Sequence, residues 1–203
     1  MNDLTDSVSA AVAMMSPWEL FAVVLAVAYL VLAIRQNIWC WAAAFVSTAI
    51  YLVLMYHASL YMESALQVFY LGMAVYGWYQ WRHGPGLDHS LPVSRWSPQW
   101  HVGAIVAVLV ATLISGRVLS EYSEAALPYI DSFTTWGAIV ATFMVARKVL
   151  ENWLYWFVID SVSIYLYVNR ELYLTALLFA GYLVLIVIGY LSWRKDLQEM
   201  RAA

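Results

Sequence analysis

The sequence predicts an all-α integral membrane protein in which seven transmembrane helices form two parallel three-helix repeats joined by a linker helix. Hydrophobic residues make up 64% of the 203-residue chain and charged residues only 11%, unlike the composition of a soluble domain. The apolar residues fall into seven stretches near the length of about 20 residues that crosses a hydrocarbon core. A tract of the first half also recurs in the second half, which indicates a membrane protein built from two similar halves.

The seven stretches are separated by short polar connectors and by one longer loop. Gly84-Pro85-Gly86, Pro92 and Pro98 interrupt any helix in residues 82–98, so this segment is predicted as a cytoplasmic loop after the third helix. Residues 1–16 are predicted to be extracytoplasmic, and residues 195–203 to form a cytoplasmic tail. The predicted spans are 17–34, 38–56, 60–81, 99–119, 132–146, 153–168 and 172–193, with residues 17–81 as the first repeat, 99–119 as the linker helix and 131–194 as the second repeat.

The internal repeat consists of polar, aromatic and glycine residues that recur in the same order. From Leu60 onward the two copies align at a constant offset of 112 residues. Upstream of Leu60 the best match has an offset of 114 or 115, so one small gap is predicted between the copies. The matched pairs are Asn37 with Asn152, Trp41 with Trp156, Ser47 with Ser161, Tyr51 with Tyr165, Leu60 with Leu172, Tyr61 with Tyr173, Tyr70 with Tyr182, Gly77 with Gly189, Trp81 with Trp193 and Arg82 with Arg194.

The single linker helix and the positions of the basic residues predict the topology. One intervening helix returns the chain to the side on which it started, so the two copies have the same orientation and are related by an axis along the membrane normal. Eight of the ten basic residues fall on one side of this arrangement, and the positive-inside rule places that side in the cytoplasm. The amino terminus is therefore predicted outside and the carboxyl terminus inside.

Composition and motifs exclude several classes of function. The net charge of −3 gives no basis for nucleic-acid binding, and without a Walker-type glycine loop direct ATP coupling is not expected. The only cysteine, Cys40, cannot form an intrachain disulfide. The sequence contains no cluster of histidine and carboxylate ligands that would predict a metal site, and no cofactor is expected. The first apolar run follows Asp3 and Asp6 without a basic leader, so it is predicted to be retained as a helix.

Polar residues along the sixth predicted helix indicate a polar path inside the membrane. Asn152, Trp156, Asp160 and Ser163 follow one another at spacings of four, four and three residues, which places them on one helical face. An ionised carboxylate such as Asp160 is costly within a bilayer and normally faces a cavity or a partner. None of the ten basic residues falls in the middle of a predicted span, which favours a ligand-facing role for Asp160 over a structural ion pair.

The second and third helices carry weaker stripes of the same kind. Their amide side chains could instead tie helices together by hydrogen bonds, which contribute about 0.6 kcal/mol each in membranes. Tryptophan and tyrosine residues near helix ends are most often interfacial anchors. The two stripes consist of Asn37, Trp41 and Thr48 on the second helix and of Glu63, Gln67 and Tyr70 on the third.

The side chains on these three faces favour a small organic ligand. Tryptophan rings attract flat or cationic groups through stacking and cation–π contacts, each worth about 0.5 to 2 kcal/mol. Amide, hydroxyl and carboxylate groups suit the hydroxyls and amides of a ligand. We therefore expect a small molecule with an aromatic, cationic ring and a sugar-like part.

The same residues resemble the signature of the PnuC family of bacterial vitamin transporters. The string Arg147-Lys-Val-Leu-Glu-Asn-Trp-Leu-Tyr-Trp156, followed by Asp160 and Ser163-Ile-Tyr165, is similar to the second-half motif of that family. The resemblance covers residues 18–194, nearly the whole chain. The combination of Asn152, Trp153 and Trp156 resembles the version associated with nicotinamide riboside, and related members carry thiamine or riboflavin. The first-half counterpart consists of Asn37-Ile-Trp-Cys-Trp41 with Gln67, Tyr70, Gly77 and Trp81.

The resemblance implies a fold, an assembly and a transport mechanism. The fold would be a three-plus-one-plus-three arrangement similar to SWEET sugar transporters, and the assembly a homotrimer in the bacterial inner membrane. Nicotinamide riboside would enter by facilitated diffusion, and a cytosolic kinase would trap it for NAD synthesis. Asn152 and Trp156 would hold the riboside, with Gln67 and Trp41 opposite. The polar stripes and the resemblance together predict a set of substrate-binding residues, in which the binding role of Asp160 rests on its stripe and not on the resemblance. The set consists of Asn37, Trp41, Gln67, Tyr70, Asn152, Trp153, Trp156, Asp160 and Ser163.

Asp160 has two further interpretations. Its charge could balance the pyridinium cation of the riboside, or its side chain could stabilise a neighbouring helix.

Two other classes of function stay open. A membrane-embedded enzyme would need a nucleophile or a metal cluster, for which the lone Asp160 is poor support. A sensor that binds retinal would need a lysine inside the last helix, whereas Lys195 lies at its cytoplasmic end.

Overall fold

The computed structural model describes residues 15–57, 61–85, 91–123, 127–170 and 172–202. These residues form seven α-helices close to the predicted spans, and α7 differs most because it continues through the segment predicted as a tail. The predicted segment 1–16 lies almost entirely outside the described residues, as does the side chain of Glu63. The helices are α1 Pro17–Ile34, α2 Trp39–His57, α3 Tyr61–Arg82, α4 Pro98–Tyr122, α5 Pro128–Ala146, α6 Asn152–Asn169 and α7 Tyr173–Ala202.

Proline fixes the beginning of three helices. Pro17, Pro98 and Pro128 stand at the first positions of α1, α4 and α5, where the missing N–H costs nothing and the fixed φ suits the helix. At α1 the hydroxyl of Ser16 also accepts a hydrogen bond from the backbone N–H of Glu19 at 3.2 Å, which satisfies one of the free donors of the first turn.

Four of the described helices, α1, α2, α4 and α7, are long and apolar enough to cross a membrane by length and composition. The other three carry more polar and aromatic side chains, including Asp131 in α5 and Asp160 in α6. Such side chains lower the mean hydropathy of a helix even where they face away from lipid. That α3, α5 and α6 also cross the bilayer stays a prediction.

The chain divides into two compact units, Met1–Pro92 and Val93–Ala203. In the first unit α2 packs against both α1 and α3, and the Ser47 hydroxyl of α2 donates to the carbonyl oxygen of Ala22 in α1 at 2.8 Å. In the second unit α6 packs in the same way against α5 and α7, and α4 packs against α5. Each unit therefore contains a helix triplet whose middle helix contacts the other two.

The turns at residues 35–38 and 147–151, here called elbows, join the first two helices of each triplet with matching geometry. Gln36 and Lys148 adopt positive φ angles of 52° and 48°, which L residues rarely do. The corresponding backbone hydrogen bonds are Asn37 N to Leu32 O and Val149 N to Met144 O, each 2.9 Å long. Every one of these positions differs from its counterpart by 112 residues.

A tryptophan from the middle helix of the first triplet packs over a glycine of the next helix. The ring of Trp41 in α2 lies directly against Gly77 in α3, where a Cβ atom would overlap it. Trp81, one turn further along α3, meets Trp41 edge-on with ring centroids 5.5 Å apart and an interplanar angle of 86°. Only 2% of Trp41 is exposed. We call this arrangement of a buried tryptophan, a glycine and a second tryptophan a tryptophan key.

The second triplet contains the same key. The ring of Trp153 in α6 lies against Gly189 in α7, where a Cβ atom would come within 2.5 Å of it. Trp193 meets Trp153 edge-on at 5.4 Å and 87°, and Trp153 is 1% exposed. The three members of this key each follow their counterparts by 112 residues, like the elbows.

The structure therefore corrects the register predicted for the first part of the repeat. The elbows and keys align the copies at an offset of 112 with no gap, so the predicted gap is wrong. The pairings predicted upstream of Leu60 are wrong for the same reason, namely Asn37 with Asn152, Trp41 with Trp156, Ser47 with Ser161 and Tyr51 with Tyr165. Trp41 corresponds to Trp153, and the position equivalent to Asn152 is Cys40. The error arose because both copies contain Asn-x-x-x-Trp, three residues out of structural register.

A short segment before α4, residues 93–97, binds to the second elbow and is here called the strap. The backbone N–H of Ser94 donates to the Lys148 carbonyl at 2.9 Å, and the Leu150 N–H donates to the Ser94 carbonyl at 2.8 Å. Ser94 and Val149 form a parallel bridge. Val93, Val149 and Leu150 are buried, so the backbone bonds that attach the strap lie beside buried apolar side chains.

Glu151 anchors the strap electrostatically. Its carboxylate accepts a hydrogen bond from Arg95 Nε at 2.6 Å and one from the backbone N–H of Trp96 at 3.4 Å. The bond to Glu151 raises the pKa of Arg95. The His101 Nε2 atom of α4 lies 3.9 Å from the same carboxylate, and its Nδ1 lies 3.0 Å from the hydroxyl of Tyr155. The strap thus ties the beginning of α4 to the beginning of α6.

Neutralising this anchor is expected to destabilise the second unit. Glu151→Gln keeps the shape of the side chain but removes the charge, so the bond to Arg95 weakens. Because Arg95 is half exposed, we expect a loss of only about 1 kcal/mol in the free energy of unfolding. Thermal unfolding in detergent measures it. Glu121→Gln is the matched control, since its pair with Arg117 is largely exposed, and equal effects of the two substitutions would contradict an anchoring role.

Candidate binding site

One face of α6 combines buried polar groups with an aromatic ring. Asn152, Asp160 and Ser163 are 0%, 4% and 5% exposed, and Trp156 is half-buried between them along the helix. The helix is continuous from Asn152 to Asn169, so spacings of four, four and three residues place all four on one face. Polar side chains are rarely buried so completely without partners, so this face is the strongest candidate for ligand binding.

The side-chain amide of Asn152 has a hydrogen-bond partner at its nitrogen but none among the described residues at its oxygen. Its Nδ2 donates to the carbonyl oxygen of Val149 in the elbow at 2.6 Å, which fixes the orientation of the side chain. Its Oδ1 is buried and has no hydrogen-bond partner among the described residues. An unpaired buried acceptor costs about 1 to 3 kcal/mol. A ligand that offers an N–H or O–H donor to Oδ1 would recover this energy.

Asp160 lies two turns further along the same face. Within the described ranges its carboxylate has no hydrogen bond or ion pair, and it interacts electrostatically with Tyr167, two turns further along α6. Arg170 at the far end of α6 is committed to Asp131, with Nη2 and Oδ2 2.8 Å apart. The carboxylate is therefore a buried group for which the part of the chain that the structure describes supplies no counter-charge.

The two tryptophans predicted for this site have different surroundings. Trp153 belongs to the second tryptophan key, and its ring is held between Gly189 and Trp193. Its indole N–H is buried and has no partner in the described part of the chain. Trp156 lies on the polar face with Asn152 and is half-buried. Trp156 is thus the ring better placed to stack on a ligand, whereas Trp153 is engaged in packing.

The candidates in the first unit divide in a similar way. Trp41 belongs to the first key, with its indole N–H also buried and unpaired within the described residues. Gln67 and Tyr70 lie three residues apart on α3 and are half-buried. Asn37 is exposed, and its Oδ1 accepts a hydrogen bond from the backbone N–H of Trp39 at 3.0 Å. The visible task of Asn37 is therefore to cap the first turn of α2.

The second unit also contains an apolar cavity that is distinct from the polar face. It has a volume of about 320 Å³ between α4, α5 and α6. Leu154 and Val158 line it, and at 100° per residue they point about 120° and about 160° away from Asp160 around α6. Tyr155, whose hydroxyl meets His101, also borders the cavity. Neither Asn152 nor Asp160 lines it, so a polar ligand is better matched by the polar face of α6.

Comparisons with known proteins agree on one family and one fold. A family model described as "Nicotinamide mononucleotide transporter" matches residues 16–195. The nicotinamide riboside transporter PnuC of Escherichia coli (strain K12) is 22% identical over 179 residues, covering 76% of this chain and 75% of that protein. The riboflavin/roseoflavin transporter RibM of Streptomyces davaonensis is 27% identical over 167 residues, covering 81% of this chain and 78% of that protein.

A solved structure shares the fold. The crystal structure of the vitamin B3 transporter PnuC superposes with a TM-score of 0.72 and covers 97% of this chain and 90% of its own, at 21% sequence identity. At this level of identity the likeness establishes the arrangement of the backbone. The chain therefore shares the fold of that transporter.

Proposed function

This chain belongs to the nicotinamide mononucleotide transporter family, and from that membership we propose that it takes up nicotinamide riboside across the bacterial inner membrane. Transport is facilitated diffusion, in which the protein alternates between conformations open to either side of the membrane. A cytosolic kinase phosphorylates the riboside and so keeps its free internal concentration low, which directs the flux inward and supplies NAD synthesis. The chain itself catalyses no reaction.

The polar face of α6 is the observation that carries this proposal. Nicotinamide riboside has a flat cationic ring, a carboxamide and ribose hydroxyls. A half-buried tryptophan suits the ring, and the unpaired oxygen of Asn152 suits an amide or hydroxyl donor. Trp156 and Asn152 are therefore proposed to hold the two ends of the nicotinamide, with Ser163 available to a hydroxyl.

The charge of this face favours a riboside over a mononucleotide. A phosphate group carries about two negative charges and is normally bound by arginine, lysine or a helix N-terminus. From Asn152 to Ser163 the face of α6 has an acid, Asp160, and no base, and the nearest lysine along the chain, Lys148, lies in the elbow before the helix. A phosphorylated ligand would bring like charges together in a buried site, which is destabilising. We therefore propose that the mononucleotide named in the family description is not the ligand of this chain.

The remaining predicted residues are proposed to assist. Gln67 and Tyr70 would contribute polar contacts from α3, and Trp41 and Trp153 would contribute their unpaired indole N–H groups while their rings pack. Asn37 has the least support among the predicted residues, because its oxygen already caps α2.

We propose the following architecture for the transporter in the membrane. The two triplets form a parallel three-plus-one-plus-three arrangement around the linker helix α4, similar to SWEET transporters, and three copies form a homotrimer. The constant offset of 112 between elbows and keys supports two equivalent triplets. The excess of basic residues on one side supports a periplasmic amino terminus and a cytoplasmic carboxyl terminus.

Riboflavin is the alternative that a specific observation favours, because RibM has the higher sequence identity of the two relatives described above. Thiamine is a further candidate, since it also carries a cationic aromatic ring. Calorimetric titration of the purified protein in detergent with nicotinamide riboside, its mononucleotide, thiamine and riboflavin separates these possibilities. We expect heat of binding for the riboside alone. Binding of riboflavin alone, or of the mononucleotide in preference to the riboside, would overturn the proposed substrate and leave the family membership intact.

A further inference from the structure

The strongest unexplained group in the structure is the Asp160 carboxylate. It lies in the middle of α6, is 4% exposed, and has no hydrogen bond or ion pair within the described residues. A buried charge without a partner is strongly unfavourable in a protein interior. It is more so in a membrane helix, where ionisable groups normally mark a ligand or ion path. Some group outside the described chain must offset it when it is ionised.

The cations near the ends of α6 are distant from Asp160 along the chain. Arg147 and Lys148 in the second elbow stand thirteen and twelve residues before it. Arg170 at the carboxyl end pairs with Asp131, and it stands ten residues beyond Asp160, or about 15 Å along the helix axis. At the amino end Arg95 pairs with Glu151, which is nine residues before Asp160. Neither Arg170 nor Arg95 can reach the carboxylate without breaking its own ion pair. The ligand is therefore the remaining source of a counter-charge.

The corrected register of the repeat shows that this acid is present once. At an offset of 112 the position equivalent to Asp160 is Thr48, a half-buried neutral residue of α2. The two triplets thus share their elbows and tryptophan keys and differ at this position in charge. A single carboxylate matches a ligand with a single positive charge.

We propose that Asp160 supplies the counter-charge for the cationic ring of the ligand and thereby selects cationic ligands over neutral ones of the same shape. This inference rests on the proposed uptake of nicotinamide riboside. It assigns to Asp160 the discrimination between a cationic and a neutral ring. A neutral ring leaves the carboxylate buried and unpaired, so discrimination arises from a penalty against the wrong ligand. Neutral isoalloxazines such as riboflavin are rejected for the same reason.

A pair of ligands that differ only in ring charge tests the proposal. Nicotinamide riboside carries a pyridinium cation, and its 1,4-dihydro form is neutral with nearly the same shape. We expect wild-type protein to bind the cationic form at least about 10-fold more tightly in calorimetric titrations, given the coupling measured for close charge pairs. Equal affinities would overturn the proposal without any substitution being made.

Asp160→Asn removes the charge and keeps the size of the side chain. We expect this variant to lose most of the 10-fold preference, by weaker binding of the cationic form and unchanged or tighter binding of the neutral one. Ser161→Ala is the control on the same helix, since Ser161 is exposed and its hydroxyl donates to the Phe157 carbonyl of its own helix. A preference preserved in Asp160→Asn would assign Asp160 a structural role. Absence of binding of both ligands to wild-type protein would instead overturn the proposed function.

Discussion

Asn152→Ala and Trp156→Ala are each expected to weaken nicotinamide riboside binding by at least about 100-fold, to below calorimetric detection, because groups at the centre of a desolvated site contribute most to affinity. In Asn152→Ala the ligand loses the acceptor Oδ1 and leaves its own donor unpaired. In Trp156→Ala it loses both apolar contact and the cation–π interaction. The measurement is a titration of each purified variant in detergent, with the amount of folded protein fixed by size-exclusion chromatography.

Two further variants separate binding from folding. Trp156→Phe keeps an aromatic face of weaker cation–π strength, so its affinity should lie between those of wild type and Trp156→Ala. Asn152→Ala also removes the 2.6 Å bond to the Val149 carbonyl, so its thermal unfolding is recorded beside that of Ser161→Ala. Affinity retained in both alanine variants would show that the polar face of α6 is not the binding site.

Gly189→Ala is expected to destabilise the protein by about 1 to 3 kcal/mol, the usual cost of inserting a methyl group into a packed core. The added Cβ atom would lie 2.5 Å from the ring of Trp153, and that ring is confined by Trp193. Gly77→Ala is expected to destabilise the protein by a similar amount, because its Cβ atom would overlap the ring of Trp41. Thermal unfolding in detergent measures both effects.

Each helix provides its own control for this prediction. At Gly181 in α7 and Gly72 in α3, an added Cβ would meet no atom of the described residues within 4 Å beyond its own helix turn and chain neighbours. Replacing either by alanine should leave stability unchanged or raise it by up to about 1 kcal/mol, since alanine is the better helix former. Glycine-to-alanine substitutions at two positions of one helix are thus expected to change the stability in opposite directions. If Gly189→Ala unfolds at the temperature of Gly181→Ala, the tryptophan key has no role in stability.

Much of the fold follows from the sequence because helices that span membranes are specified locally. Runs of apolar residues and the prolines at positions 17, 98 and 128 locate the helices to within a few residues. The polar face of α6 was also predictable, since the spacing of Asn152, Asp160 and Ser163 needs no knowledge of neighbouring helices. Three helices fall short of the apolar character expected of a span, and α6 does so because it carries the residues of the candidate site.

What the sequence could not provide depends on contacts between distant residues. The register of the repeat is set by Trp41 on Gly77 and by Trp153 on Gly189, whereas sequence matching followed the Asn-x-x-x-Trp pattern. A constant offset of 112 applied upstream from the glycines would have found the correct pairing. The bonds between the strap and the second elbow, and the capping role of Asn37, have no periodic signal at all.

The strap also imposes an order on the assembly of the protein during synthesis. Ser94 leaves the ribosome 55 residues before Val149, its partner in the bridge, which at about 5 to 20 residues per second is an interval of roughly 3 to 11 s. During that interval the first triplet is complete, whereas α4 has no elbow to hold it. The strap bonds can form only once the α5–α6 turn emerges, so α4 is expected to gain its fixed position after the helix that follows it has been made.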